Sequence, residues 1–360
     1  MSSAVSHSTA PHSAAPHSPW QRAIGLGVVL AAIVGVIVLA FSWPGVTSDP
    51  RDLPIVVAGP EAQVTALEAA LDERAEGLFD VTVVDDRAAA VAAIEAREAY
   101  GAILISDTPE VLTASAASPV VAQQLAAIAG VLQTQLQAAI AAQVPDGVTP
   151  PTVTVPVTDV VPLADTDPRG SGLASAAFPL VLGGMLGGIL ISVALVGALR
   201  RLVALGVYAV GGGFVISGIL QGWFGVLQGD YLLNAAVFAT ALLAVGAPIV
   251  GFAALVGRPG VALGPVLFLL FANPISSAAA PVEFLLAPWG AVGQWFPPGA
   301  GATLIRETSY FPAADTTFPW LVLAAWAVGG ILLALVGHFR VTGGATEEAI
   351  EEAEAETVAA

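Results

Sequence analysis

The chain has 360 residues, of which 56% are hydrophobic and only 11% charged, and its mean hydropathy is +0.82. Soluble domains carry about a quarter charged residues, so this composition excludes an ordinary soluble protein and indicates an integral membrane protein. The net charge of −17 argues against a nucleic-acid partner, and the absence of cysteine and lysine excludes disulfides, thiolate metal sites and a Walker A phosphate loop.

The N-terminal stretch of the chain, residues 1–22, is rich in Ser, His, Ala and Pro. This composition predicts a disordered tail, although His7, His12 and His17 leave a metal-binding tract as the alternative. An uncharged run follows from Ala23 to Trp43, long enough to span about 30 Å of hydrocarbon. A signal peptide is the competing interpretation, but the run exceeds the usual apolar core of one, so it predicts an uncleaved transmembrane helix one.

Residues 44–172 change character and contain 18 acidic residues and five arginines. The segments "LPIVVAG", "FDVTVVDD" and "YGAILIS" read as strands that alternate with helical segments, which predicts an α/β domain. A further helix carries apolar residues three and four apart between Val121 and Leu136. The segment "PTVTVPVTDVVPL" alternates like a strand, and Pro156 and Pro162 place it at a sheet edge because proline donates no ladder hydrogen bond.

Residues 173–338 are predicted to form a five-helix membrane domain. Its apolar spans are Leu173–Leu199, Leu202–Gly229, Tyr231–Gly257, Pro259–Val282 and Thr316–Gly337. With helix one, these spans predict a polytopic α-helical membrane protein with six transmembrane helices and an α/β domain between helices one and two.

Arginines near the ends of the predicted helices set the orientation. The arginines that fall on one side of an alternating chain are Arg22, Arg200, Arg201, Arg258 and Arg340. Short-loop arginines favour the cytoplasm, so both termini are predicted to be cytoplasmic, including the acidic tail of residues 339–360, and the α/β domain extracytoplasmic. Partner binding by the acidic tail is the alternative to a simply solvated tail.

Residues 281–307, "PVEFLLAPWGAVGQWFPPGAGATLIRE", interrupt the apolar pattern between helices five and six. Their prolines are Pro281, Pro288, Pro297 and Pro298. So many prolines exclude one spanning helix and predict a re-entrant pair of short arms, with Pro298 in the first turn of the second arm. Trp289 and Trp295 suit the level of the outer headgroups.

Two charges, Glu283 and Arg306, flank this segment. The sequence leaves two interpretations: a salt bridge that closes the two arms, or a contact with substrate. A second pattern, "GGMLGG", sets Gly183 over Gly187 and Gly184 over Gly188 in a small-xxx-small arrangement that permits close helix packing. Packing inside the bundle and a homodimer seam both remain open.

The segment "FANPISSAAAPVEFLLAPWGAVGQWFPPGAGATLIRETSYF" resembles the end of type-2 ATP-binding-cassette exporter permeases. In that group helix five passes through a turn, here Asn273 and Pro274, into two short re-entrant helices. The layout of one helix, a large outside domain and five helices resembles the phage-infection-protein-like branch, whose outside domain opens with strands similar to Leu53–Val57 and Ala90–Ile105.

This resemblance implies a permease subunit in the plasma membrane that works as a dimer with a separate ATPase and moves an amphipathic or lipid-like substrate outward. The family's cytosolic coupling helix between helices two and three is reduced here to little more than Arg200 and Arg201. A non-transporting envelope protein, whose outside domain binds a partner or a secretion machine, is therefore the alternative.

No enzyme motif accompanies these features. The sequence has no nucleophile elbow and no HExxH pattern, and His338, at a helix boundary, belongs to no such motif. We therefore predict no catalytic residue, no metal site and no cofactor. The absence of lysine and the abundance of alanine suggest a GC-rich bacterial genome of actinobacterial type.

Overall fold

The computed structural model describes residues 18–106, 108–145 and 149–342. It contains five helices that are long and apolar enough to cross a membrane, together with a five-stranded sheet. The protein is therefore a multi-pass helical membrane protein that carries a small α/β domain. The histidines of the N-terminal tract and the glutamates of the C-terminal tail lie outside the described residues.

The first helix, α1 (Trp20–Val46), contains the predicted span and extends it at both ends. None of its residues is buried within the chain. Its ring contacts lie near its C-terminal end, where Phe41 meets Phe178 and Trp43 meets Trp289 at centroid distances of 6.4 and 6.0 Å. Helix α1 therefore packs against the rest of the protein chiefly at the end that leads into the α/β domain.

The α/β domain alternates strands and helices as the sequence predicts, with one additional strand. Its elements are β1 (Leu53–Ala58), α2 (Glu61–Arg74), β2 (Phe79–Val83), α3 (Arg87–Glu95), β3 (Gly101–Leu104), β4 (Glu110–Thr113), α4 (Pro119–Ala141) and β5 (Val157–Asp159). The sheet order is β2-β1-β3-β4-β5, and all neighbours are parallel except β3 and β4. Strand β5 lies at the edge, as its flanking prolines predict.

Alternate residues of β1 point to two separate cores, because side chains of a strand alternate between the faces of its sheet. Ile55 and Val57 pack in the core under α2 and α4. Val56 and Ala58 join a core that contains Ile94 of α3 and continues into the membrane helices. The α3 face of the sheet therefore faces the helical bundle, and the α2–α4 face lies on the other side.

The bundle is organised around one central helix. Its long helices are α5 (Ser171–Ala194), α6 (Ala198–Ser217, continued by a π-helical turn to Trp223), α7 (Tyr231–Val256) and α10 (Thr317–Thr342). Helix α7 is the most buried of the candidate spans. Small residues permit its close contacts: a Cβ on Gly330 of α10 would lie 2.3 Å from the carbonyl carbon of Ala247.

One end of the bundle meets the α/β domain, and we call it the domain end. There Thr166 donates a 2.7 Å hydrogen bond to the carbonyl of Gly225, and Phe318 and Pro319 of α10 share a cavity with Arg97 of the domain. Helix α7 starts at this end, and Arg258 follows its far end. The bundle thus has a domain end and an opposite, arginine-bearing end.

Three predicted spans run several residues past the end of their helix in the structure, and one of them, Leu202–Gly229, ends at Trp223. Helix α5 ends at Ala194 rather than Leu199, and Arg201 lies in the first turn of α6, where its Nε donates to the carbonyl of Leu195. The predicted fifth span is a 3₁₀ turn, Arg258–Ala262, followed by a π-helix, Pro265–Ala272. It ends ten residues before Val282, because the helix gives way to a turn at Asn273 and Pro274, where proline lacks the amide donor.

Candidate functional site

The segment 281–307, which we call the broken segment, lies at the domain end and forms three short pieces. They are a 3₁₀ turn (Val282–Phe284), helix α8 (Trp289–Gly293) and the first part of helix α9 (Pro297–Tyr310). Pro297 and Pro298 occupy the first two positions of α9, where a missing amide donor costs no helical hydrogen bond. Pro288 immediately precedes α8.

Glycines allow the broken segment to fold tightly against itself and the preceding turn. A Cβ on Gly293 would lie 1.8 Å from the carbonyl oxygen of Ile275, and one on Gly299 would lie 2.3 Å from that of Gly293. Gln294 links the pieces by donating to the carbonyl of Ser276 and accepting from Thr303. The two arms are thus held together by backbone proximity and by an amide side chain.

The two predicted tryptophan anchors make different contacts. Trp289 packs edge-on against Trp43 of α1 and against Phe271. The ring of Trp295 is largely exposed and lies 5.0 Å from Phe318, while its carbonyl accepts a 2.8 Å hydrogen bond from Trp326. Trp289 therefore connects the segment to α1, and Trp295 connects it to α10.

Glu283 and Arg306 do not form the predicted salt bridge. The Oε2 of Glu283 accepts a 2.9 Å hydrogen bond from the hydroxyl of Tyr100 in the α/β domain. Arg306 is directed elsewhere and donates a 3.3 Å hydrogen bond to the carbonyl of Ala278. The prediction fails because it considered only the two arms, whereas the docked domain supplies a closer partner for the carboxylate.

The main ionic contact between domain and broken segment joins Arg97 to Glu307. Arg97 Nη1 lies 2.7 Å from Glu307 Oε1, and both side chains are well shielded, at 17% and 10% exposure. We call this ion pair and the Tyr100–Glu283 hydrogen bond the junction. Burial raises the pKa of Tyr100, with Glu283 contributing, so its hydroxyl remains a donor at neutral pH.

The backbone at Arg97 is unusual and explains how this side chain reaches the bundle. Its φ is +59°, and it follows Ala96, the C-cap of α3. The amide of Arg97 donates to Ile94 and that of Glu98 to Ala93, which is the Schellman pattern that normally places glycine at this position. A left-handed residue other than glycine is disfavoured, so the arginine does not favour this turn, and its contribution here comes from the side chain.

Further hydrogen bonds connect the junction with the chain that leaves α1. The amide of Arg51 donates to the carbonyl of Glu283, and the amide of Asp49 donates to that of Phe284. The hydroxyl of Ser48 also donates to Phe284. Consequently the 3₁₀ turn of the broken segment is bonded to the domain on one side and to the α1 linker on the other.

A cavity of about 300 Å³ lies between the domain and α9. Its charged lining consists of Arg97, Glu98, Glu283, Glu307 and Asp315. Acidic groups outnumber the single arginine, so the space favours positive charge. A second cavity of about 340 Å³ adjoins the turn at Asn273 and Pro274 and reaches Phe41 of α1 and Phe178 of α5.

Asn234 holds the C-terminal part of α9 and is a residue whose role the sequence does not reveal. It is only 1% exposed, and its amide donates to Gln221 and to the carbonyl of Gln228. Its oxygen accepts from Thr308 and Ser309. Its position near a helix end suggests contact with water, but α9 covers it. No pattern in the neighbouring sequence predicts that Asn234 is buried.

The glycines of "GGMLGG" are used within the chain. Gly184 and Gly188 lie against Val245 and Gly246 of α7, and Gly183 and Gly187 lie against Tyr208 of α6. The hydroxyl of Tyr208 also donates to the carbonyl of Gly183. These contacts occupy the small-residue surface and support its role in internal packing.

Within residues 18–106, 108–145 and 149–342 there is no group of three or more His, Asp or Glu side chains suited to hold a metal ion. Comparison with family models, with curated proteins and with solved structures found no match to this chain.

Proposed function

We propose that this protein is the membrane-spanning permease subunit of an ABC-type exporter, in which the α/β domain and the broken segment move as one unit. The observation that carries this proposal is the junction: the shielded Arg97–Glu307 ion pair and the Tyr100–Glu283 hydrogen bond tie the domain to both arms of the broken segment. A displacement of either arm would be transmitted to the domain. The proposed substrate is an amphipathic or lipid-like molecule that leaves past these arms.

The proposal places the α/β domain outside the cell and both termini in the cytoplasm of a bacterial cell. Arginines at the end opposite the domain support this orientation. Helix α7 leaves the domain end and α10 starts there, so residues 258–316 must return across the bundle. We count Arg258–Ala272 as a crossing, the fifth of six in chain order. With α-helical rise this segment would cover only about 22 Å, and the broken segment covers the remaining depth of the membrane.

A separate ATPase and a second copy of the chain complete the proposed transporter, which the chain alone does not power. The expected stoichiometry is a dimer of this subunit with an ATPase bound at the arginine-bearing end. The candidate gate comprises the turn at Asn273 and Pro274 together with the broken segment.

One observation favours the alternative of a non-transporting envelope protein. Only Leu195–Gly197 separates α5 from α6, so a coupling helix of the kind expected for an ABC permease is not formed there. In that case the junction would rigidify a platform for a partner of the outside domain.

Purification of the tagged chain from its native membranes in mild detergent tests the proposal. We expect an ABC ATPase to co-purify and ATP turnover to depend on it, whereas the chain freed of that partner should hydrolyse no ATP. Recovery of the chain with envelope proteins but without any ATPase would support the alternative.

Junction variants sharpen this test. Arg97→Gln and Glu307→Gln should reduce substrate-stimulated ATP turnover of the complex, because each separates the domain from α9. Arg87→Gln is the matched control, since Arg87 pairs with Glu110 inside the domain. If Arg97→Gln and Glu307→Gln turned over ATP as fast as Arg87→Gln and the wild type, coupling through the junction would be contradicted.

A further inference from the structure

A groove of about 360 Å³ lies on the α/β domain between α2 and α4, on the sheet face opposite α3. Leu67 and Leu71 of α2 form one wall, and Ile128, Val131 and Leu132 of α4 form the other. Its volume falls within the range of small-molecule binding sites, about 300–1,000 Å³. None of the residues that line the groove belongs to the junction, so this groove is distinct from the candidate site above.

The side chains that form the walls of the groove are mostly apolar, although the groove is open to solvent. Val131 is 41% exposed, although leaving apolar area in water is unfavourable by roughly 25 cal/mol per Å². Ala127 is also exposed and contributes a small side chain to the wall, which keeps the space open. An elongated apolar molecule would cover these surfaces.

A positively charged side chain, Arg74, lines the groove. Among the described residues that line the groove, Arg74 is the only ionisable one, and none of the acidic residues of α2 lines it. Within the described residues, Arg51, Arg87 and Arg97 each form an ion pair with an acid, and Arg74 takes part in none of these pairs. A ligand with an apolar chain and a negative head would complement this arrangement.

The groove also adjoins the chain that comes from α1. Leu78 lines the groove, and the carbonyl of the preceding residue, Gly77, accepts from the amide of Asp52 in the linker between α1 and β1. Phe284 of the broken segment packs against the same core that underlies the groove. A lipid chain at the membrane surface is therefore the nearest source of such a ligand.

We propose that the groove binds the acyl chain of an anionic lipid from the adjacent membrane, with the headgroup next to Arg74. Leu67, Leu71 and the α4 wall cover the chain, and Arg74 selects the negative head. Binding of this kind is a property of the α/β domain and does not depend on ATP-driven export, so it stands or falls separately from the proposed function.

The test uses the full chain in phosphatidylcholine nanodiscs and two photoreactive probes. The first probe is a sixteen-carbon fatty acid with a diazirine in mid-chain, and the second is the same chain with an amine head. After illumination, mass spectrometry locates the labelled peptides. We expect the acid probe to label α2 and α4, and the amine probe to label them several-fold less.

Matched variants separate the groove from the surrounding surface. Ala127→Trp fills the groove and should lower labelling by the acid about tenfold, equivalent to a tenfold weaker binding constant. Ala126→Trp changes the neighbouring exposed alanine, which does not line the groove, and should leave labelling unchanged. Arg74→Gln should lower acid labelling by roughly two- to fivefold, as expected for one exposed charge, whereas Arg169→Gln should not.

Arg74 also lies in the last turn of α2, where a cation is favourable next to the helix dipole, so loss of stability alone must be excluded. Val131→Gln makes the wall polar without adding bulk and must also lower labelling, while thermal unfolding of each variant is monitored in parallel. Equal labelling of wild type, Ala127→Trp and Val131→Gln would overturn the proposal. So would equal labelling of the groove by the acid and amine probes.

Discussion

Single residues at the domain end connect the α/β domain to the bundle, and their neighbours in the sequence do not predict this role. Arg97 accepts a left-handed backbone that costs roughly 1–2 kcal/mol for a residue with a Cβ. The compensation is a shielded ion pair with Glu307. Two opposing effects therefore meet in one residue, and substitutions can separate them.

The first prediction compares Arg97→Ala with Arg97→Gly. Both lose the ion pair, but glycine also removes the backbone strain, so the alanine variant should be less stable by about 1 kcal/mol. The free energy of unfolding of the purified chain in detergent measures the difference. An alanine variant as stable as the glycine variant would show that the turn is not strained.

The second prediction concerns Asn234. Asn234→Ala removes a buried amide and leaves the carbonyl of Gln228 and the hydroxyls of Thr308 and Ser309 without this partner. We expect a loss of about 1–3 kcal/mol of stability. Gln221→Ala removes a hydrogen bond with Asn234 and one with the carbonyl of Gly229 from a less buried position and is the control; equal stability of both variants would contradict the buried network.

At the scale of elements, the conformation of the broken segment is determined by close backbone contacts rather than by helix propensity. Helices α8 and α9 are short, and their mutual position is fixed by glycines and by Gln294. Gly299 and Gly301 both lie near the start of α9. The structure distinguishes the two positions, because only Gly299 faces a neighbouring carbonyl at close range.

The third prediction uses this difference. Gly299→Ala should disrupt the fold of α8 against α9, because its Cβ would lie 2.3 Å from the carbonyl oxygen of Gly293. Gly301→Ala should be tolerated, since its Cβ would lie 3.6 Å from Ala241, an ordinary contact. Protease susceptibility of the detergent-solubilised variants provides the measurement. Similar resistance of the two variants would contradict the described packing.

At the scale of the whole molecule, the protein is an asymmetric bundle with a domain at one end and arginines at the other. The absence of native cysteine makes the proposed orientation directly testable. The fourth prediction is that single cysteines at Glu73 and Asp230 react with an impermeant maleimide on intact cells, and one at Arg258 does not. All three positions are exposed, so accessibility differs only by side. Labelling at Arg258 from outside would overturn the orientation.

Several features of the fold follow from the sequence alone because they depend on local composition. The apolar runs predict membrane helices, alternation of strands and helices predicts the α/β domain, and proline positions predict the edge strand β5 and the first turn of α9. These patterns act through solvent transfer and backbone sterics within a few residues. Predictions based on these patterns therefore do not depend on the tertiary arrangement.

Other features were decided only by tertiary structure. Glu283 pairs with Tyr100 across 183 residues of sequence, and Arg97 pairs with Glu307 across 210. No local pattern selects these partners, because the choice depends on which sheet face docks on the bundle. The burial of Asn234 has the same cause: α9, which is distant in sequence, covers this side chain and supplies hydrogen-bond partners in place of water.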